Sequence, residues 1–153
     1  MAARRTAFSL IEAIVIVMVL GALAFIAVPR LNFGALYRKQ AHVVAKEIVT
    51  NLRRTRTLAI SNAAANSTGY TLEITGSTCQ IIDDANYPNG VIVDSYTIDP
   101  HISCGSDAVF SFGPLGNLRD GSSNQLTVSD ADETRSYTIT VVSATGIVEC
   151  SGG

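Results

Sequence analysis

Phe8 to Val28, FSLIEAIVIVMVLGALAFIAV, decides how the rest of this chain is read. It is nearly unbroken hydrocarbon carrying one carboxylate, Glu12, and it follows a short basic leader, Met1 to Ala7, with Arg4 and Arg5. About 20 apolar residues in a helix match a bilayer core, and an acid inside such a span costs roughly 2.5 to 3.5 kcal/mol. A chain that keeps Glu12 there is expected to supply a partner for it.

Two readings of this amino terminus compete. One is an ordinary cleaved signal, with Arg4 and Arg5 as its basic region and Ala22-Leu23-Ala24 as a small-residue cut site, giving an exported protein that starts near Phe25. The other cuts between Ala7 and Phe8 and keeps the apolar segment. Glu12 favours the second, because a discarded signal gains nothing from a buried acid. A helix places residues four apart on one face, so a free amine at Phe8 is a natural counter-charge for Glu12, in the same chain or a neighbour.

Outward from this segment, the 125 residues after Val28 make one ordinary domain. The net charge of -2 conceals an asymmetry. Arg30, Arg38, Lys39, Lys46, Arg53, Arg54 and Arg56 face a single acid, Glu47, between residues 30 and 56, whereas two basic residues face eleven acids from Thr57 onward. The chain reads as a basic stem followed by an acidic head. In the stem, Ala41, Val44, Ala45, Ile48, Leu52, Thr55 and Ala59 recur at spacings of three and four, predicting an amphipathic helix whose stripe packs beneath the head. Asn62 to Gly69, NAAANSTG, ends it.

Short runs rich in Val, Ile, Thr and Tyr predict strands at 70–74, 78–82, 91–98, 108–112, 125–129, 136–142 and 147–150. Ser143-Ala144-Thr145-Gly146 joins the last two as a hairpin. The expected fold class is α+β, with a long amino-terminal helix, membrane-spanning in its first half and amphipathic in its second, packed on an antiparallel head. The expected divisions are a leader at 1–7, a spanning or filament-core helix at 8–28, a stem at 29–65 and a head at 66–153.

Catalytic and ligand readings are weak. His42 and His101 are the two histidines. Asp99, His101 and Cys104 in DPHISC offer too few ligands for a metal, and the stretch reads as a solvated loop. FGPLGN lacks the lysine and spacing of a phosphate loop. Asp83, Asp84, Asn86 and Asn89 have calcium-binding chemistry but also the composition of an exposed turn, which is preferred. No enzyme activity, cofactor or metal is expected. Cys79, Cys104 and Cys150 permit one disulfide if the head is exported, with three pairings open. Arg53, Arg54 and Arg56 resemble a nucleic-acid patch, but an acidic head opposes a polyanion, so a solvated or subunit-contacting face is preferred.

FSLIEAIVIVMVLGALAFIAVPRL resembles the amino-terminal segment of type IV pilins and type II secretion pseudopilins. Counting Phe8 as the first mature residue, Glu12 is the fifth, Gly21 the fourteenth and Pro29 the twenty-second, each agreeing with the family pattern. Ala7 departs from it, since Gly is usual before the cut. LRRTRTLAISNAAANS, YTLEI, FSFGPLGNL, QLTVSD and SYTITVVSATGIV further resemble the GspH/FimT group of minor subunits.

The resemblance implies a single-pass precursor in the inner membrane with its head in the periplasm. It implies prepilin-peptidase cleavage between Ala7 and Phe8, methylation of the Phe8 amine, and assembly through an inner-membrane platform into a pseudopilus or related filament. Its partners are then the peptidase, other subunits and, before assembly, membrane lipid. Glu12 pairs with a neighbour's Phe8 amine, and Gly21 and Pro29 loosen the helix. A DNA-binding minor pilin is the alternative within the family.

Overall fold

Two helices of contrasting surroundings precede eight strands in the computed structural model, which describes residues 10–27, 33–86, 90–130 and 135–152. The helices are α1 (Leu10–Ala27) and α2 (Phe33–Ser61). The strands are β1 (Tyr70–Thr75), β2 (Thr78–Asp83), β3 (Val91–Thr97), β4 (Ile102–Ser103), β5 (Ala108–Phe112), β6 (Gln125–Asp130), β7 (Ser136–Val142) and β8 (Ile147–Gly152). They form two antiparallel sheets ordered β3-β2-β1-β5 and β4-β6-β7-β8, so the chain is α+β, with two α-helices and two four-stranded sheets among the described residues. It divides at Gly34 into two compact units, α1 lying in the first and the sheets in the second.

The single-pass inner-membrane expectation is corrected here. Among the described residues, no helix is long and apolar enough to cross a membrane. The described part of α1 has 18 residues, which at 1.5 Å per residue rise about 27 Å, against a hydrocarbon core of about 30 Å. Glu12 in its first turn shortens the uncharged part further, to Ala13 through Ala27.

In the second unit the stem stripe is the spine of the core. Ala41, Val44, Ala45, Ile48, Leu52, Thr55 and Ala59 are all buried, as is Val49 beside them. All of these but Thr55 join one hydrophobic cluster with Leu72, Ile74, Cys79, Phe110 and Phe112 of the first sheet and Leu126, Val128, Ile139 and Val141 of the second. Alternation along β7, with Tyr137, Ile139 and Val141 buried, shows why these strands keep one register: a one-residue slip would expose the whole set.

The connection from α2 to β1 is organised by Asn66. Its Oδ1 accepts from the Thr68 hydroxyl and the Thr68 and Gly69 amides, and its Nδ2 donates to Gly69 O and to Asp83 Oδ1, both at 2.6 Å. Gly69 has φ +97°, and a Cβ there would stand 1.9 Å from the Phe112 carbonyl oxygen. Only glycine permits both that backbone and that approach.

Exposed sheet edges invite unwanted pairing, and here they are closed in different ways. The outer side of β5 is occupied by the segment that follows it: Arg119 and Ser123 donate their amides to Ser111 O and Val109 O. Arg53 of α2 donates to the Val148 carbonyl on β8 at 3.3 Å. On β3, Asp94 pairs with Arg54 through one oxygen and accepts the Ser95 amide with the other. β4 is only two residues long.

Candidate functional site

α1 is the feature with no use inside its own fold. Apart from Glu12 and Gly21 every residue of it is apolar, and every residue from Leu10 to Ala24 is exposed. Leu10 reaches 78% exposure, and Ile11, Ile14, Val15, Val17, Met18, Val19, Leu20 and Leu23 all exceed half. Those positions run around the whole circumference. A helix hydrophobic on all sides belongs in the interior of something larger. Glu12 lies in the first turn, where a carboxylate meets the positive end of the helix dipole, an arrangement worth typically about 0.3 to 1 kcal/mol. Gly21 sits in open space, with nothing within 4 Å of where a Cβ would be. Ala7, Phe8 and Pro29 lie outside the described residues.

The three arginines grouped as a basic patch point to three different places. Arg53 reaches β8, Arg54 reaches Asp94 on β3, and the half-buried Arg56 donates from Nε to Gly116 O at 3.1 Å. Successive helical residues turn by about 100°, so a contiguous run in sequence need not be a patch in space. Gly116 (φ +77°) and Gly146 (φ +65°) press against the Arg56 side chain, and their turns flank it. These charges fasten the stem to the head. Beside them Leu115, 87% exposed, projects from the tip of the turn read as FGPLGN.

The Asp83-Asp84 segment is not the exposed turn expected from its composition. Asp84 opens a 3-10 turn, Asp84–Asn86, and is 1% exposed. Its Oδ2 accepts from the Thr71 hydroxyl at 2.6 Å and from Arg119 Nη1 at 3.2 Å, and Thr71 also bonds the Ser111 hydroxyl. Its Oδ1 is buried without a hydrogen-bond partner among the described residues. Burial pushes the Asp84 carboxyl above its ordinary range, against the pull of Thr71 and Arg119. A cavity of about 250 Å³ lies alongside, lined by Asp84, Ser111, Arg119 and Ser122 among others. Sequence reasoning missed this network because its anchor, Arg119, is 35 positions away in an irregular segment. Asn89, the last of the proposed calcium ligands, lies outside the described residues.

The remaining candidates disperse. Among the described residues no group of three or more His, Cys, Asp or Glu is placed to hold a metal ion. His42 lies 5.2 Å from the Tyr137 ring on the stem, while the His101 amide donates to Asp99 Oδ1 in the loop before β4. Cys79 is buried, Cys104 half-buried and Cys150 exposed, and all three stand as free thiols in this structure. Comparison with protein-family models, curated proteins and solved structures finds no match.

Proposed function

We propose that this chain is a non-enzymatic filament subunit of the pilin-like kind, most similar to the minor pseudopilins of the GspH/FimT group. Its fold is then the pilin-like arrangement of an assembly helix ahead of a stem-and-sheet head. The observation that carries this reading is α1, an apolar helix bare on every side in a chain whose head has a complete core of its own. Burying such a surface yields roughly 25 cal/mol per Å² of apolar area, and a bundle of like helices from neighbouring subunits provides that burial.

The order of events is the one the resemblance to pilins implies. A prepilin peptidase cuts between Ala7 and Phe8, the new amine is methylated, and an assembly platform adds the subunit to a growing filament. In the bundle Glu12 is the one charge on α1 that must find a counter-charge, and the Phe8 amine of the adjacent subunit supplies it. A carboxylate that has a partner in one axial position only fixes the register between subunits, since an unpaired buried charge costs several kcal/mol. The head, with eleven acids against Arg119 and Arg135 and with Arg119 engaged by Asp84, presents an acidic exterior that selects which filament it joins.

Glu12→Leu tests the reading. The substitution keeps the helix and its burial while removing the register charge. The expected result is a correctly processed, folded subunit that no longer co-purifies with its filament complex; incorporation at the unmodified level would refute the role.

A further inference from the structure

Three cysteines with three conceivable pairings become one pairing once the strands are in place. Cys150 lies in β8, held in register opposite Ile139, and Cys104 immediately follows β4. β6 and β7 separate β4 from β8, so three strand spacings of about 4.8 Å put these positions about 14 Å apart. A disulfide tolerates a Cα separation of no more than about 7 Å. Cys79 and Cys150 lie in different sheets, the first buried and the second exposed. Cys79 is fully buried on β2 of the other sheet, whereas β8 is paired to β7 along its whole length, from Tyr137 with Gly152 to Val142 with Ile147.

Cys79 and Cys104 are brought together. Cys104 packs against the same hydrophobic cluster that contains Cys79. The Ile98 amide donates to Ser77 O at 2.7 Å, tying the segment that leads to Cys104 onto the β1–β2 hairpin two residues before Cys79. That hairpin and the Cys104 loop face each other across one open cavity of about 470 Å³, lined by Gly76, Ser77, His101, Cys104 and Asp107 among others.

We infer that Cys79 and Cys104 are a latent disulfide pair which links the two sheets when the chain meets a thiol–disulfide oxidant, while Cys150 stays outside the bridge. Cys104, at the cavity, is the entry point. Its sulfur attacks the oxidant's disulfide, one thiol leaves, and a mixed disulfide forms on Cys104. The Cys79 sulfur then displaces the second thiol from Cys104. The chain loses two hydrogens, and the two sulfurs of the oxidant gain them. Burial pushes the Cys79 thiol up to about 11 and the Cys104 thiol above its ordinary range, so both displacements are slower than those of an exposed thiol.

The full chain treated with oxidised glutathione, then alkylated, digested and mapped by mass spectrometry, tests the inference. The expected product is a Cys79–Cys104 linked peptide, about 2 Da lighter than its two halves, with Cys150 alkylated or carrying a glutathione adduct. Cys150→Ser leaves that peptide unchanged, and Cys104→Ser removes it. Glutathione adducts on Cys79 or Cys104 in place of a bridge, three alkylated cysteines, or any linked peptide containing Cys150 overturns the inference. Mapping of the unsubstituted chain decides the matter by itself if Cys104→Ser fails to fold.

Discussion

α1 and α2 are successive helices drawn from similar apolar residues, and their surroundings are opposite. In α2 the buried apolar residues keep to one stripe packed on the sheets, with Val43 and Ile60 left exposed; in α1 they run all the way round, and from Leu10 to Ala24 nothing covers them. The contrast separates two kinds of hydrophobic information in one sequence. A stripe states where the chain folds on itself, because burial of one face leaves the other for water. A helix without a polar face gives no direction within its own chain, and its burial has to come from outside.

The largest effect that tests this difference comes from the same substitution made on each helix. Ile48 is 0% exposed and Ile16 is 45% exposed. Ile48→Ala opens a cavity at the centre of the stem stripe and is expected to cost about 2 to 5 kcal/mol of unfolding free energy. Ile16→Ala is expected to stay within about 0.5 kcal/mol in the dispersed chain while weakening co-purification with other subunits. Denaturant unfolding followed by circular dichroism in mild detergent reads the first quantity. Equal losses at both positions would mean that α1 is already part of the folded core.

The same contrast explains how much could be read in advance. The stem stripe was legible residue by residue, since all seven of its members are buried, and so were most strands, whose alternation reports a half-covered sheet. β4 was not, because Ile102 and Ser103 are too short to alternate and take their strand character only from β6. Asp84 was misread for a related reason. In DDAN every local preference favours an exposed turn, and what buries the residue is Arg119 and the loop that carries it, distant in sequence. The three stem arginines read as one solvated or subunit-contacting face because spacing in sequence hides direction in space; the contacts of Arg53, Arg54 and Arg56 could be found only after β8, β3 and the Gly116 turn had been placed.

Buried and exposed charge give the next comparison, with an effect of intermediate size. Asp84 has a folded-state carboxyl raised above its ordinary value of 3.8 by burial. The sign follows from proton uptake: between 3.8 and the raised value the folded chain holds a proton that the unfolded chain has released. The contribution of Asp84 is therefore most favourable below 3.8 and is lost as pH rises through the folded value. Asp84→Asn keeps an acceptor for Thr71 and cannot ionise. Thermal melts of the two proteins across the acidic range should converge at low pH and separate as pH rises, the unsubstituted chain losing relative stability. A constant difference at every pH would show that the carboxyl is not strained by its burial.

Asp94 should show the reverse slope and the smallest effect. Its carboxyl is held below 3.8, chiefly by the hydrogen bond from Arg54 and then by the Ser95 amide. The folded chain thus releases that proton more readily than the unfolded one, so the stabilisation is present above 3.8 and disappears as pH falls through the lowered value. The pair is open to solvent, where side-chain entropy and salt screening remove most of the attraction. Arg54→Ala is accordingly expected to leave the melting midpoint nearly unchanged at moderate salt, with a slight loss that shrinks further as salt is added. Its clearer signature is at the edge of the first sheet. Without Arg54 the Asp94 side chain loses its tether, the Ser95 amide is released, and β3 becomes a free template with Val91, Ile92 and Val93 exposed along it. Slow aggregation of Arg54→Ala at unchanged stability, seen by light scattering and absent in Arg53→Ala, distinguishes a guard on the strand edge from a simple ion pair.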